Sequence, residues 1–540
     1  MLSALIWIPV VAAILIGLLP SNAPPGLIRS GAGFASVLTL GIALLLAFQF
    51  NIQDPGFQFQ EQIPWLDALG LDYALGVDGL ALPLVLLNVF IIALTLYCTK
   101  PDLQRPKLYY SLMLLISGGV SGAFLAQDYI LFFLFYEVEL VPLYLLIAIW
   151  GGAKRGYAAT KFLIYTALSG ILILLAFLGL TTLSAAPSFA YAPALAQTIP
   201  IAQQLILLGL VIVAFSIKIP LFPFHTWLPD AHVEASTPVS MVLAGVLLKL
   251  GTYGLLRFGV GLFPEAWQIL APGLAIWAVV STLYGSLNAI VQKDMKKMVA
   301  YSSIGHMGYI LLALAAATPV SLLGSVLQMI SHGLISALLF LLVGFVYSCT
   351  GTRDLTVLRG LLTPERGLPL VGSLMILGAM ASSGLPGMMG FVAEFMIFRG
   401  SFSTFPTLTL LCLIGTGLTS VYFLLLINRA FFGRLPPQFS NLPKVKFVEL
   451  IPGLALAGLI VLLGLQPQWA IDWSATATLS LTESFPLSHS LSPPGAFPHP
   501  GSPLPQGVPT GIIRVNGRAQ DCGDQGHSLG PDCRRNIQHQ

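Results

Sequence analysis

The sequence predicts an all-α polytopic membrane protein with about fourteen transmembrane helices, and three observations carry that prediction. Of 540 residues, 56% are apolar and only 9% are Asp, Glu, Lys or Arg, where a soluble domain carries about 25% charged residues. Runs of about 20 apolar residues, enough for a helix to cross a bilayer, recur with short polar breaks. These runs are continuously apolar, whereas a membrane barrel alternates apolar and polar residues in pieces of about ten. With a mean hydropathy of +0.86, the composition excludes a water-soluble enzyme, a disordered chain and a nucleic-acid binder that needs a basic surface.

Fourteen segments qualify as spans 1–14: 2–19, 30–50, 82–99, 108–126, 129–149, 161–182, 203–226, 238–258, 270–291, 298–316, 321–348, 369–399, 405–428 and 447–466. The first reads as an uncleaved span, because Met1 to Ser3 lack the positive charge that precedes the apolar core of a signal peptide. Seventeen of the 25 Lys and Arg fall in loops after odd-numbered spans or, for Lys161, at the edge of one, which places those loops on the cytoplasmic or equivalent side. Segment 51–80 holds Asp54, Glu61, Asp67, Asp72 and Asp78 and no basic residue, and fits the opposite side together with both termini. The organisation expected is a three-helix segment (1–107), a first repeat (108–258), a second repeat (270–431), a C-terminal helix (432–470) and a tail (471–540). From 487 the tail is rich in Pro, Gly, Ser, His and Gln without apolar periodicity, and is expected to be disordered. Cysteines 98, 349, 412, 522 and 533 form no CxxC pair, which speaks against zinc, iron–sulfur or a disulfide scaffold. No GxGxxG or GxxxxGK[ST] suggests a bound nucleotide.

Seven ionisable residues lie well inside spans, away from their ends: Glu137, Glu139, Lys218, Lys249, His306, His332 and Glu394. A charge at the centre of a span costs about 2.5–3.5 kcal/mol on insertion scales, so such groups mark proton paths or pairs in a wet interior. Glu137 lies deep in span 5 without a local counter-ion and is expected to act. Glu139, about 200° around an ideal helix from it, is expected to face another subunit or the interface region. Lys218 precedes Pro220 and Pro223, which remove two backbone donors and strand the carbonyls of Ser216 and Ile219. That break suggests hydration beside a lysine able to exchange its proton as a carboxylate partner moves; the bland alternative is a packing kink with a snorkelling lysine. Lys249 is mid-span between Gly245 and Gly251, where small residues permit close helix contact or a wet gap. Glu394 follows a second break, GLPG, where Pro386 releases the carbonyl of Ser382. His306 and His332 stand beside serines and can relay protons, or simply bond within helix interfaces; neither has metal-ligand spacing. The broken spans 7 and 12 are five apart, so spans 4–8 and 9–13 are expected to be oppositely oriented copies, with the chemistry at the broken helices.

The stretches FYEVELVPLYLLIAIWGG, KIPLFPFHTWLPDAHVEASTPVSMVLAGVLLKLGTYGLLRF, QKDMKKMVAYSSIGHMG, ISHGLISALLFLLVG and GLPGMMGFVAEF, within about residues 80–430, resemble the antiporter-like chain 4 family of type-I NAD(P)H dehydrogenase, respiratory complex I, which is related to cation/proton antiporter subunits. The resemblance implies fourteen spans, a hydrated axis along the membrane, and proton transfer through the pair Glu137 and Lys218, a central Lys249 and a terminal Glu394. Ser236 departs from the family pattern, which has Pro there, and is expected to loosen the turn before span 8. The family also implies that this chain binds no cofactor, with quinone, iron–sulfur clusters and electron donor elsewhere in a complex that includes a second antiporter-like chain, and no nucleic acid. The stretches AQDYILFFLFYEVEL and WGGAKRGYAATKFLIYTALSGILIL look like the cyanobacterial and plastid branch, implying a thylakoid membrane. MLSALIWIPV and EQIPWLDALGLDYALGVDGLALPL look more like the variant chain of a CO2-uptake form, whose extrinsic CO2-hydrating subunit would supply zinc. The rival classes are a free-standing cation/proton antiporter, which needs no electron donor, and an enzyme with its own quinone or nucleotide site.

Overall fold

The computed structural model describes residues 1–483 apart from 67, 69, 101, 187 and 440. Asp67 and the tail from 484, with Cys522 and Cys533, lie outside the described residues. In chain order the main elements are α1 (Leu2–Leu18), α2 (Pro25–Gln49), β1 (Gln58–Leu66), β2 (Leu71–Val77), α3 (Leu82–Cys98) and α4 (Pro106–Leu125). Next come α5 (Tyr129–Trp150), α6 (Arg155–Leu183), α7 (Ile201–Lys218), α8 (Trp227–Glu234), α9 (Thr237–Val260), α10 (Pro264–Ile290) and α11 (Met295–Ala316). The chain continues through α12 (Pro319–Thr350), α13 (Pro369–Ser382), α14 (Met389–Phe402), α15 (Pro406–Ala430), α16 (Phe447–Leu465) and α17 (Gln468–Glu483). Helix stands on every one of the fourteen apolar segments. Among the described residues, 11 helices are long and apolar enough to cross a membrane, and α1, α3 and α13 are shorter apolar helices. Six of the helices begin at a proline, at 25, 106, 264, 319, 369 and 406, where the missing N–H costs nothing and the fixed φ suits the first turn.

The layering puts the polar residues inside. Helix α9 is wholly buried, and α4, α11 and α12 nearly so, while α2, α6, α15 and α16 turn apolar side chains such as Phe34, Phe48, Ile164, Leu424 and Leu465 outward. Lipid tails are as apolar as leucine, so it is close packing and polar bonds between helices that hold such a bundle together. Behind the first broken helix, Phe132, Phe177, Phe215 and Phe258 pack ring against ring, Phe132 and Phe258 with centroids 4.5 Å apart.

Two halves repeat the same local devices. The side chain of Asp128 caps α5 by accepting from Ile130 N and Leu131 N, each at 2.9 Å, and Asp294 caps α11 by accepting from Lys296 N and Lys297 N at 2.8 and 3.0 Å. Each cap residue also forms an isolated antiparallel bridge to the loop after the following helix, Asp128 with Ala190 and Asp294 with Asp354. Each half then reaches a broken helix, α7–α8 at Pro220 and α13–α14 at Pro386.

The bundle is all-α as expected, with one addition: β1 and β2 form an antiparallel hairpin that turns through Gly70. The pair is too short to span a bilayer: β1, QFQEQIPWL, lies mostly exposed, while β2, LDYALGV, is mostly buried beneath it. Two expectations are corrected. The segment after 470 is not all tail, because α17 docks through Ser474 Oγ, which donates to Gly79 O at 2.7 Å, and Thr476 Oγ1, which donates to Ile52 O at 2.9 Å. Nor is the turn before span 8 loose, since Ser236 O accepts from Ser240 N at 2.9 Å and Pro238 sits in the first turn.

One buried ion pair pins the hairpin to the core. Asp78, just past β2, accepts from Leu80 N and Ala81 N at 3.1 and 3.0 Å through Oδ1 and from Arg257 Nη2 at 2.5 Å through Oδ2. Arg257 also faces the rings of Phe57, Tyr253 and Tyr191 at 5.0–5.6 Å. Removing one partner of a buried pair strands the other charge, at a cost of about 3–5 kcal/mol. Asp78→Ala is therefore expected to lower the thermal stability of the detergent-solubilised protein by that order, with part regained when Arg257→Met is added. An unchanged melting temperature in Asp78→Ala would show that the pair does not hold the hairpin.

Candidate functional site

The site begins where α7 ends. Pro220 and Pro223 stop the helix at Lys218, and the released Ser216 carbonyl accepts from Leu221 N at 3.0 Å. The next carbonyl, of Ile217, accepts from Trp227 Nε1 at 2.8 Å. Protein donors thus meet the Ser216 carbonyl, one of the two that the prolines strand, and the Ile217 carbonyl beside it, so this part of the break needs no water. Gly251 of α9 lets α7 come close: a Cβ there would stand 3.1 Å from Ile219 N and 3.2 Å from Lys218 Cβ. Lys218 is 1% exposed. Its Nζ forms an ion pair with Glu139 and lies 4.4 Å from the centroid of the Tyr136 ring. Tyr136 OH shares a hydrogen bond of 2.9 Å with Ser169 Oγ, which is 2.7 Å from the Ala214 carbonyl.

Glu139 is therefore turned inward, against the expectation. The angle of about 200° assumed one ideal helix, but α5 is two pieces, Tyr129–Val138 and Leu140–Trp150, with Glu139 at the junction. Pro142 has no N–H for the Val138 carbonyl, so the ladder is interrupted at that point. Glu137 lies on the other side of the junction against Gly170 of α6, and its Oε1 has no hydrogen-bond partner among the described residues.

In the middle of the protein α9 widens into π-helical turns at Leu243–Leu247 and Leu255–Val260, with Lys249 between them. Such segments recur at functional sites and have no sequence signature in an apolar run. Lys249 Nζ donates to Ala244 O at 2.6 Å and stands 2.9 Å from His332 Nδ1 on α12. The His332 ring lies 5.6 Å from that of His306 on α11. His306 Nδ1 faces the Ser302 carbonyl at 2.8 Å, and its Nε2 faces the carbonyl of Ser382, the one released by Pro386, at 3.2 Å. Carbonyls only accept, so a neutral ring satisfies one of these contacts and a doubly protonated ring satisfies both. The same Nε2 is 3.7 Å from Glu394 Oε1 on α14. Glu394 Oε2 accepts from Thr416 Oγ1 at 3.1 Å, and Thr416 reaches Tyr309 OH at 3.3 Å.

The predicted residues thus form two groups. One holds Lys218, Glu139 and, beside them, Glu137; the other runs Lys249, His332, His306, Glu394. The bridge between them is the α7–α9 contact at Gly251. Each half pairs an ionisable group on its second helix with one on its broken helix, Glu139 with Lys218 and His306 with Glu394. The sequence analysis does not single out two buried histidines: His225, just past the break, and His232 on α8, whose ring stacks on Phe340 at 4.4 Å with no hydrogen-bond partner for either nitrogen among the described residues. Their seven-residue spacing in HTWLPDAH, two helical turns, was the available signal.

Two successive halves, each with an aspartate-capped helix and a broken helix that meets a buried ionisable partner, fit an antiporter-like membrane subunit. Residues 126–419 match the family described as NADH:quinone oxidoreductase/Mrp antiporter, TM. The chain is 42% identical over 491 residues to NAD(P)H-quinone oxidoreductase chain 4 1 of a Synechococcus species, covering 89% of this chain and 92% of that one. It is 42% identical over 452 residues to chain 4-2 of a Synechocystis species, covering 82% and 80%. Among solved structures, respiratory complex I from Thermus thermophilus with bound NADH superposes with a TM-score of 0.78 at 28% identity, covering 89% of this chain and 100% of the matched chain. The Mrp complex from a Dietzia species shares the fold, with a TM-score of 0.80 at 21% identity over 89% and 97%. The chain belongs to the NADH:quinone oxidoreductase/Mrp antiporter family, in its NAD(P)H-quinone oxidoreductase chain 4 group.

Proposed function

We propose that this chain is the proton-translocating membrane subunit of a NAD(P)H-quinone oxidoreductase, carrying protons along Glu137, Lys218, Lys249, His332, His306 and Glu394. The observation that carries the reading is the pair of broken helices, each meeting a buried ionisable partner in the bundle interior. An ionisable group held at a helix break can change partners without unmaking a regular helix, which a transfer step needs. Electron donor, iron–sulfur clusters and quinone belong in this reading to other subunits, and the chain couples to them mechanically and electrostatically. Moving one charge across 100 mV is worth about 2.3 kcal/mol, more than a decade in an equilibrium constant at about 1.4 kcal/mol per decade.

The finer assignment we propose is a cyanobacterial thylakoid complex of the CO2-uptake form, in which removal of the proton draws CO2 hydration toward bicarbonate. It rests on the resemblance of the N-terminal segments. Purification in mild detergent followed by mass spectrometry tests both levels. The expected result is co-purification with further membrane subunits and a zinc-containing extrinsic hydratase. Membrane subunits without the hydratase would leave the respiratory and cyclic-electron-flow form. The chain running alone, with sodium-dependent exchange in liposomes, would replace the reading with a free-standing antiporter.

A further inference from the structure

Lys218 has two glutamates in its neighbourhood where one would balance it. Glu139 is 0% exposed and holds the ion pair. Glu137, two residues earlier and on the other side of the junction in α5, is only half-buried and faces Gly170, beside the outward apolar side chains Leu134 and Val138. Neither Glu137 Oε1 nor Glu139 Oε2 finds a hydrogen-bond partner among the described residues. Counted as ions, the three groups carry a net charge of −1, and a lone charge at membrane depth is costly. One proton shared by the two carboxyl groups brings the cluster to zero.

Resting on the proton-carrying reading above, we propose that Glu139 is the resident partner of Lys218 and Glu137 the entry carboxyl, so that the first station of the path is a two-carboxylate, one-lysine switch. In one state Glu137 carries the proton, Glu139 is ionised and the Lys218 ammonium pairs with Glu139, the contact present in the structure. In the other, the proton has passed from Glu137 to Glu139 and Lys218 pairs with ionised Glu137. Both states hold the same atoms, one shared proton and zero net charge, so the switch moves a proton inward without exposing a bare charge. The interrupted helix between the two glutamates supplies the backbone freedom for the exchange, since no continuous ladder has to break.

The test uses the intact complex in proteoliposomes, with electron transfer and subunit content as controls. The switch predicts that Glu139→Gln lowers the proton-to-electron ratio to the level of Lys218→Ala, that Glu139→Asp regains part of it, and that Glu137→Gln also lowers it. A wild-type ratio in Glu139→Gln, with the ratio lost in Lys218→Ala, would overturn the switch and leave the proton-carrying reading standing. A wild-type ratio in both would remove that reading as well. If Glu139→Gln fails to assemble, infrared difference spectra of Glu137→Gln and of the double variant Glu139→Gln/Lys218→Gln decide, because removing both members of a buried pair avoids the stranded charge. The switch requires a carboxyl band to disappear in each variant; a band lost only with Glu137→Gln would overturn it.

Discussion

Lys218→Ala is expected to abolish proton translocation through this chain while the complex still assembles and still transfers electrons. Lys218 is the last residue of α7, so its side chain is not part of a continuing helical face, and the backbone around it is held by Leu221 N and Trp227 Nε1. Those bonds survive the substitution, as does the aromatic packing of Phe132, Phe215 and Phe258 behind the site. What is lost is, among the described residues, the only basic group placed on Glu139. A buried carboxyl deprived of its cation is neutralised by a proton, which keeps the protein folded and fixes in place the proton that should move. Proton uptake by proteoliposomes under steady electron transfer checks this. Assembly lost in both Lys218→Ala and Glu137→Ala would instead make the groups structural.

The sequence makes the long elements legible because apolar length is a strong signal: each of the fourteen segments carries helix, and both breaks fall at Pro220 and Pro386. The candidate residues were legible for the related reason that ionisable groups are rare in such segments. Their pairing was not. Placing Glu139 needed the step in α5 that Pro142 imposes, and an ideal 100° per residue points it the wrong way. The π-helical turns around Lys249 are a property of how α9 packs and leave its apolar run looking ordinary. The hairpin at 58–77 went unseen because its nine- and seven-residue strands are short beside the spans, and its partner Arg257 lies 179 positions from Asp78. His225 and His232 were passed over because they lie just beyond the apolar core of span 7, where a polar residue needs no explanation.

Lys249→Ala is the second large effect expected. Lys249 is the one ionisable group on wholly buried α9 that reaches the second half, through His332 Nδ1 at 2.9 Å. With alanine there, Lys218 and Glu139 keep their pair, and His306 and Glu394 keep theirs, but nothing titratable on α9 stands between the two groups. The competing role is structural: Lys249 Nζ also serves the Ala244 carbonyl, and leaving that group unmet costs about 1–3 kcal/mol. That cost would appear as reduced assembly and falls short of unfolding a bundle of this size. The two roles separate in one quantity, the proton-to-electron ratio of the assembled Lys249→Ala complex in sealed proteoliposomes, read with a pH-sensitive dye during quinone reduction at a matched electron-transfer rate. A continuous path through this chain predicts a ratio reduced by the share this subunit carries, in complex that is present and turning over. A wild-type ratio in that preparation would contradict the path.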